Sequence, residues 1–299
     1  MPANQQYTVV GIGELLWDLL PSGAQLGGAP ANFAYWSAVL GDHSAIVSRV
    51  GDDELGHKAV DFLKRAGIET DYIQLDGSLP TGTVQVELDR GGQPAFEITS
   101  DVAWEALESA PGLQVLAASA DAICFGTLAL RSIPTRETIT RFIAAARRSA
   151  LIVFDLNLRQ SFYSRELIIQ SLEASNIVKM NSQELPVVTR LLDIEARTEQ
   201  ELCRRLLDRY RLRLVCITRG HRGSLIVTAS ETVEHAGFTV GVVDTVGSGD
   251  AFTAALVHHL LKGSSLERIS EAANRLGAWT AARAGAMPTP DDAILDGVL

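Results

Sequence analysis

Long basic runs are missing from this sequence. Lys and Arg number 26 against 36 Asp and Glu, a formal net charge of −10, so no phosphate-tracking stripe is available and nucleic-acid binding is disfavoured. No apolar run reaches the length of a membrane span. The start, MPANQQYTVVGIGE, has no basic region followed by a long apolar core. These absences predict a cytoplasmic chain without membrane contact. Cysteine is scarce: Cys124, Cys203 and Cys216 stand in no CxxC spacing, which argues against a disulfide framework or a zinc knuckle. Cys124 (AICFG) and Cys216 (LVCIT) sit in apolar runs and read as small buried apolar side chains. Neither GxxxxGK[ST] nor an HRD-type catalytic loop is present, so phosphate chemistry here needs a different cradle. The acidic balance does not exclude an anionic ligand, because a local site can be positive on an acidic protein. GIGEL lacks the third glycine of a dinucleotide fingerprint and runs on as an extended segment.

What is present is an alternation of short apolar runs with helical periods. Tyr7–Ile12, Ala45–Val50, Ala122–Phe125, Leu151–Asp155, Ile177–Met180 and Leu214–Thr218 read as buried strands. Between them, Glu54–Ala66, Arg136–Arg148, Arg165–Ala174 and Glu199–Tyr210 carry helical spacing, and Ala251–Lys262 and Leu266–Arg283 extend it toward the end. The pattern predicts an α/β fold: a doubly wound, mostly parallel sheet flanked by helices. With no repeat and no clear linker, 1–299 reads as one domain. One segment breaks the rhythm. TVQVELD (83–89) alternates apolar with polar, Arg90–Gln93 supplies a Gly-Gly turn, and 95–99 runs extended again, which reads as an antiparallel hairpin. It is either an ordinary surface hairpin or a small β lid over an opening.

Two glycine turns carry the chemistry. In Asp244-Thr245-Val246-Gly247-Ser248-Gly249-Asp250 a turn runs straight into a helix. The free N–H groups and dipole of a helix start favour a phosphate or a developing oxyanion. Asp250 is open to two readings: an N-cap, or a general base that takes the proton of an attacking hydroxyl while the amides hold the phosphoryl group. In Gly27-Gly28-Ala29-Pro30-Ala31-Asn32 a Gly-Gly precedes a helix over 31–40. It is either a plain turn before a helix or a close approach to a ligand, with Asn32 offering both donor and acceptor. His258 and His259 are neighbours on a helix and point about 100° apart, a poor metal pair.

Together and in this order, the two turns resemble the ribokinase-like (PfkB) carbohydrate kinase family. GGAPAN is similar to its GG…N signature and DTVGSGDAF to its DTxGAGD signature, with Ser248 where Ala is usual. GELLWDLLP, VGDDELG, DLNLR, KMNSQE and TRGHRGS resemble further family motifs along the chain. The resemblance implies a ribokinase-like fold whose small β lid comes from approximately 14–26 and 71–99. It implies that Gly247, Ser248 and Gly249 hold the transferring phosphoryl group while Asp250 deprotonates the sugar. Asp18, Gly28 and Asn32 fall on the sugar, with Arg159 on sugar or phosphate and Phe96 of the lid over the sugar's apolar face. Lys179, Asn181, Glu184, Thr218, Gly220 and Gly223 fall on the nucleotide side, and the face of Asn274 and Ala278 borders the adenine. Glu184 and Asn181 would organise Mg²⁺ through waters; read alone they are equally helix caps. Asp244 and the AARAGAMP segment (281–288) resemble a monovalent-cation site, and a need for K⁺ stays open. The implied ligands are ATP, Mg²⁺ and a sugar, with a homodimer through the lid as a family-level expectation. The substrate pattern is most like fructokinases. Ribose, 2-keto-3-deoxygluconate, nucleosides and a non-catalytic sugar-binding relative stay as alternatives.

Overall fold

The computed structural model describes residues 6–20, 23–88 and 94–299. The chain begins β1 (Thr8–Ile12), β2 (Leu16–Leu20), β3 (Gly23–Gly27), α1 (Ala29–Val39), β4 (His43–Gly51), α2 (Glu54–Arg65) and β5 (Ile73–Asp76). It continues through β6 (Gly82–Leu88), β7 (Pro94–Ile98), α3 (Pro111–Ser119), β8 (Ala122–Phe125), α4 (Ile133–Ala144), β9 (Leu151–Asp155) and α5 (Arg165–Ala174). Then come β10 (Ile177–Asn181), α6 (Leu185–Leu192), α7 (Glu199–Tyr210), β11 (Leu214–Thr218), β12 (Ser224–Thr228) and β13 (Thr232–His235). Three helices close the chain: α8 (Ser248–Leu261), α9 (Leu266–Ala281) and α10 (Asp292–Val298).

A nine-stranded sheet runs β13-β12-β11-β10-β9-β8-β1-β4-β5. Its pairs from β11 to β5 are parallel, and β12 is antiparallel to both its neighbours. The doubly wound α/β architecture predicted from the apolar runs is what forms. Alternate strand residues feed two separate cores, as a pleated strand requires. Val10, Ile12, Ile123, Phe125 and Phe154 pack on one face with Ile139, Ile168 and Leu206 from α4, α5 and α7. Val9, Ile46, Cys124 and Val153 pack on the other with Phe33, Leu256 and Leu276 from α1, α8 and α9. All three cysteines are buried and free. Burial pushes their thiols up, that of Cys203 to about 12, so they act as apolar filler.

A second sheet runs β3-β2-β6-β7. β2 pairs antiparallel with β3, placing Asp18 opposite Gln25, and parallel with β6. β6 and β7 form the expected antiparallel pair, with Val86 opposite Phe96. The Gly-Gly turn at 90–93 lies outside the described residues, as do the side chains of 86–96, so Phe96 is placed by its backbone alone. Within 71–99, β5 pairs with β4 in the large sheet, and β6 and β7 join the small one. Trp17 pins the small sheet to the body by donating its indole N–H to Leu55 O at 3.0 Å.

α8 starts at Ser248, three residues before the apolar spacing begins to show it. Its far end is tied down by the two histidines. His258 Nδ1 lies 2.9 Å from Asp42 Oδ2 beyond the end of α1, and His259 Nε2 lies 2.7 Å from Val298 O near the C-terminus. Burial drops the His259 ring to about 4, so it is neutral and structural. Among the described residues no helix is long and apolar enough to cross a membrane.

Candidate active site

The carboxyl ends of β1, β8, β9 and β10 open on one edge of the large sheet, the side where open α/β sheets bind ligands. The first turns of α1 and α8 meet there. Gly247 takes φ 74°, a left-handed conformation that only glycine enters without strain. A Cβ at Gly247 would also fall 2.5 Å from Ala286 Cβ. The first helical bond of α8 is Ala251 N–H to Gly247 O at 2.9 Å. Ser248 turns its N–H back to Thr245 O at 3.3 Å and its hydroxyl to the same oxygen at 2.8 Å. Serine therefore braces the turn where the related motif has alanine, and the amides of Gly249 and Asp250 stand at the open first turn.

Asp250 is the third residue of α8, and no side chain caps this helix. The N-cap reading is therefore excluded. Its Oδ2 instead accepts from Asn32 Nδ2 at 2.7 Å, across 218 positions of sequence. Gly28 makes this meeting possible. At φ 106° it precedes α1, and a Cβ there would overlap the Glu14 carbonyl oxygen. Pro30 then fits the first helical turn, whose N–H groups need no partner.

Beneath the turn lies a buried charged cluster. Lys179 Nζ contacts Asp155 Oδ2 at 2.9 Å and Oδ1 at 3.1 Å, and Thr253 donates its hydroxyl to Asp155 Oδ2 at 2.9 Å. A Cβ on Gly249 would lie 2.9 Å from the Lys179 ammonium, so this cation sits directly behind the glycine turn. Burial pulls Lys179 down, but Asp155, Asp250 and Glu184 outweigh it and hold the ammonium charged. Asp250 moves the other way. Burial and then the Asp155 charge push it to about 6, against the opposing pull of Lys179, Asn32 and Arg159. Burial likewise raises Asp18 to about 6, against the Arg159 charge. Arg159 thus bears on both carboxylates from the loop after β9. In that loop Asn157 takes φ 42°, a position asparagine tolerates better than most residues.

The remaining candidates separate by environment. Glu184 is 5 % exposed, and its carboxylate clamps the backbone: Oε1 accepts from Leu158 N–H at 2.8 Å and Oε2 from Asn181 N–H at 2.7 Å. Asn181 Oδ1 accepts from Gln183 and Glu184 N–H. Both residues therefore build the turn leading into α6. Any contact with a hydrated metal would use the lone pairs left on their oxygens. Thr218 ends β11, and Gly220 and Gly223 take φ 60° and 78° in the following turn. A Cβ on Gly223 would overlap the His235 carbonyl oxygen. Asp244 accepts from Val246 N–H at 3.0 Å and Gly285 N–H at 3.1 Å, joining the two loops expected to hold a cation. Asn274 is held by the fold itself. It is buried, and its amide donates to Ser224 Oγ and Ser270 O, both at 2.7 Å. That amide knits α9 to β12.

The family model described as pfkB family carbohydrate kinase matches residues 23–293. The chain belongs to the pfkB family of carbohydrate kinases. It is 31% identical over 301 residues to an uncharacterized sugar kinase of Pyrococcus horikoshii, covering 94% of this chain and 92% of that protein. It is 28% identical over 301 residues to the fructokinase of Escherichia coli, covering 92% and 94%. The solved Vibrio cholerae O395 fructokinase with fructose, ADP and calcium bound aligns with TM-score 0.83 at 26% identity, covering 99% of this chain and 100% of that one. The Pyrococcus kinase solved in complex with ATP aligns with TM-score 0.81 at 28%, covering 97% and 100%. The fold is ribokinase-like and the chain is a sugar kinase, a phosphotransferase with an alcohol acceptor.

For a pfkB kinase, three residues of this site lie outside the roles read from the motifs. Asp155 stands in DLNLR and Thr253 one turn into α8, and neither shows its cluster without tertiary contacts. Glu14 is buried between the two glycine turns. Its one signal was a lone carboxylate in an apolar run, GIGELLW.

Proposed function

We propose that this kinase transfers the γ-phosphoryl group of ATP to D-fructose, giving D-fructose 6-phosphate and ADP. The observation that carries the proposal is the 2.7 Å contact between Asn32 and Asp250. It joins the sugar-side and phosphate-side motifs at the strand ends. Asp18 and Asn32 hydrogen-bond sugar hydroxyls, a task suited to a carboxylate that accepts from neighbouring hydroxyls. Asp250 removes the proton of the attacking hydroxyl. The amides of Gly249 and Asp250, open at the first turn of α8 while the Ser248 N–H is turned back to Thr245 O, face the charge that spreads over the phosphoryl oxygens. The Lys179 ammonium behind Gly249 adds positive potential without leaving the interior. Thr218, Gly220 and Gly223 shape the nucleotide side.

Among the described residues no cluster of three or more His, Cys, Asp or Glu is arranged to hold a metal. Mg²⁺ in this site would be held chiefly by nucleotide phosphates and water, with Asn181 and Glu184 behind it. When bound it neutralises phosphate charge. The loop bond from Asp244 to Gly285 is where a monovalent cation such as K⁺ would act. The small sheet, closing over the sugar, excludes water. Homodimerisation through the lid belongs to the same proposal.

Relatives named as fructokinases at 28% identity support fructose. A second reading is favoured by Arg159, a cation whose charge reaches both Asp18 and Asp250. A sugar acid such as 2-keto-3-deoxygluconate would match it. ADP release measured over a panel of fructose, ribose, 2-keto-3-deoxygluconate and nucleosides, with and without K⁺, separates these readings. Fructose is expected to give the highest kcat/KM. Saturable sugar binding without turnover on any acceptor would mean a non-catalytic binding protein.

A further inference from the structure

Glu14 is a buried titratable group that the transfer chemistry leaves unused. It follows β1, is 2 % exposed, and its Oε2 is buried without a hydrogen-bond partner. Its backbone carbonyl presses against Gly28, and its carboxyl feels the Ala29 N–H, first in α1. Asn32 stands three residues further along the same helix, and helical side chains lean back toward the N-terminus onto the residue three before. Asn32 Nδ2 is committed to Asp250 Oδ2, while its Oδ1 is buried with no partner. Two acceptors are therefore orphaned at the start of one helix. An acceptor cannot satisfy an acceptor, and a buried orphan is destabilising. A proton on Glu14 turns one of them into a donor.

We propose that Glu14 is a positioning residue: its protonated carboxyl donates a hydrogen bond to Asn32 Oδ1, and the chain Glu14–Asn32–Asp250 holds the base in register. The proposal rests on the reading of Asp250 as the base. The Asn32 amide then has one orientation, with its NH₂ toward Asp250. The groups facing Glu14 are Asp250 from α8, Arg159 from the loop after β9, and the Cys124 thiol on β8, which feels both carboxylates. Burial raises Glu14 to about 7; its own N–H opposes this, Asp250 adds to it, and Ala29 N–H and Arg159 oppose it. Asp250 falls at about 6. Burial thus favours the protonated form of Glu14, the form that carries the donor.

The test is the pH profile of kcat/KM in the full chain with Mg-ATP and the best sugar of the panel. The wild type is expected to rise through about pH 6, as Asp250 ionises, and to fall above about pH 7, as Glu14 loses its proton. Glu14→Gln presents an NH₂ donor at every pH, so it should keep the rise and lose the fall. Glu14→Leu has no donor and should lose about tenfold or more in kcat below about pH 7, where the wild type keeps its proton, with sugar KM within about threefold. A fall that persists in Glu14→Gln, or full kcat in Glu14→Leu, overturns the proposal. If either variant misfolds, carbon-13 carboxyl NMR of the wild type decides. Glu14 titrating near 7 supports the hydrogen-bonded chain, and titration at the ordinary value of about 4.3 overturns it. Turnover in Asp250→Asn would instead sink the base assignment. The NMR titration does not depend on which sugar is the acceptor.

Discussion

Asp250→Asn should make this kinase inactive and more stable at once. The carboxyl moves from 3.8 to about 6 on folding, chiefly through burial. At about 1.36 kcal/mol per decade in acidity, that corresponds to about 3 kcal/mol of destabilisation when the group is ionised. Asp250 keeps partial exposure, and solvent screening trims the figure to about 2 kcal/mol. Asparagine carries no charge and still presents Oδ1 to Asn32 Nδ2. For 299 residues, unfolding entropy of about 2.1 cal/mol/K per residue converts 2 kcal/mol into roughly 3 °C in Tm. The direction with pH follows from the raised value. Above about pH 6 the folded wild type bears the full cost of the ionised group. Between about 6 and 4 the folded state holds a proton the unfolded state has lost, and the cost shrinks. Near pH 4 it is gone. The Tm gain of Asp250→Asn should thus be full at pH 8, smaller at pH 5 and absent at pH 4. Scanning fluorimetry at these pH values reads it, and an ADP-release assay on the same samples should show kcat lower by about 10²–10⁴. An unchanged or lower Tm at pH 8 would refute the buried-charge reasoning, and wild-type turnover would refute the base.

Lys179→Met leaves Asp155 uncompensated at 4 % exposure and should cost about 3–5 kcal/mol by urea denaturation; adding Asp155→Asn should recover much of it, and no recovery would mean that Lys179 acts through other partners. Gly247→Ala forces a Cβ against Ala286 at positive φ, so kcat should fall at least about tenfold while calorimetric sugar binding persists; unaltered kcat would show that the turn does not hold the phosphoryl group. Asp18→Asn should raise sugar KM by about tenfold or more, as expected for a lost charged hydrogen bond, and leave the KM for ATP within about twofold. An equal rise in both would move Asp18 off the sugar side.

Much of the architecture was legible in the chain because buried parallel strands are apolar on both faces. Runs such as AICF (122–125) and LIVFD (151–155) therefore announce themselves. The antiparallel β12 and β13 were not distinguished, and the first turn of α8 was hidden because Ser248, Gly249 and Asp250 carry no apolar spacing. At the site, glycines with positive φ, such as Gly247 and Gly223, leave a mark because no other residue fits them. The bond from Asn274 to Ser224 left no mark, because an amide on a helix face looks the same whether it meets a ligand or a neighbouring strand.

Local order determined the doubly wound sheet, the two glycine turns and the residue types of a phosphotransferase, since backbone sterics and strand burial act over a few positions. How the environments of the three carboxylates differ was decided only on folding. Asp250, Glu184 and Glu14 are chemically alike. Burial, the Lys179–Asp155 pair and a bond across 218 residues to Asn32 give them different proton affinities. Those fields exist only once distant segments are packed together.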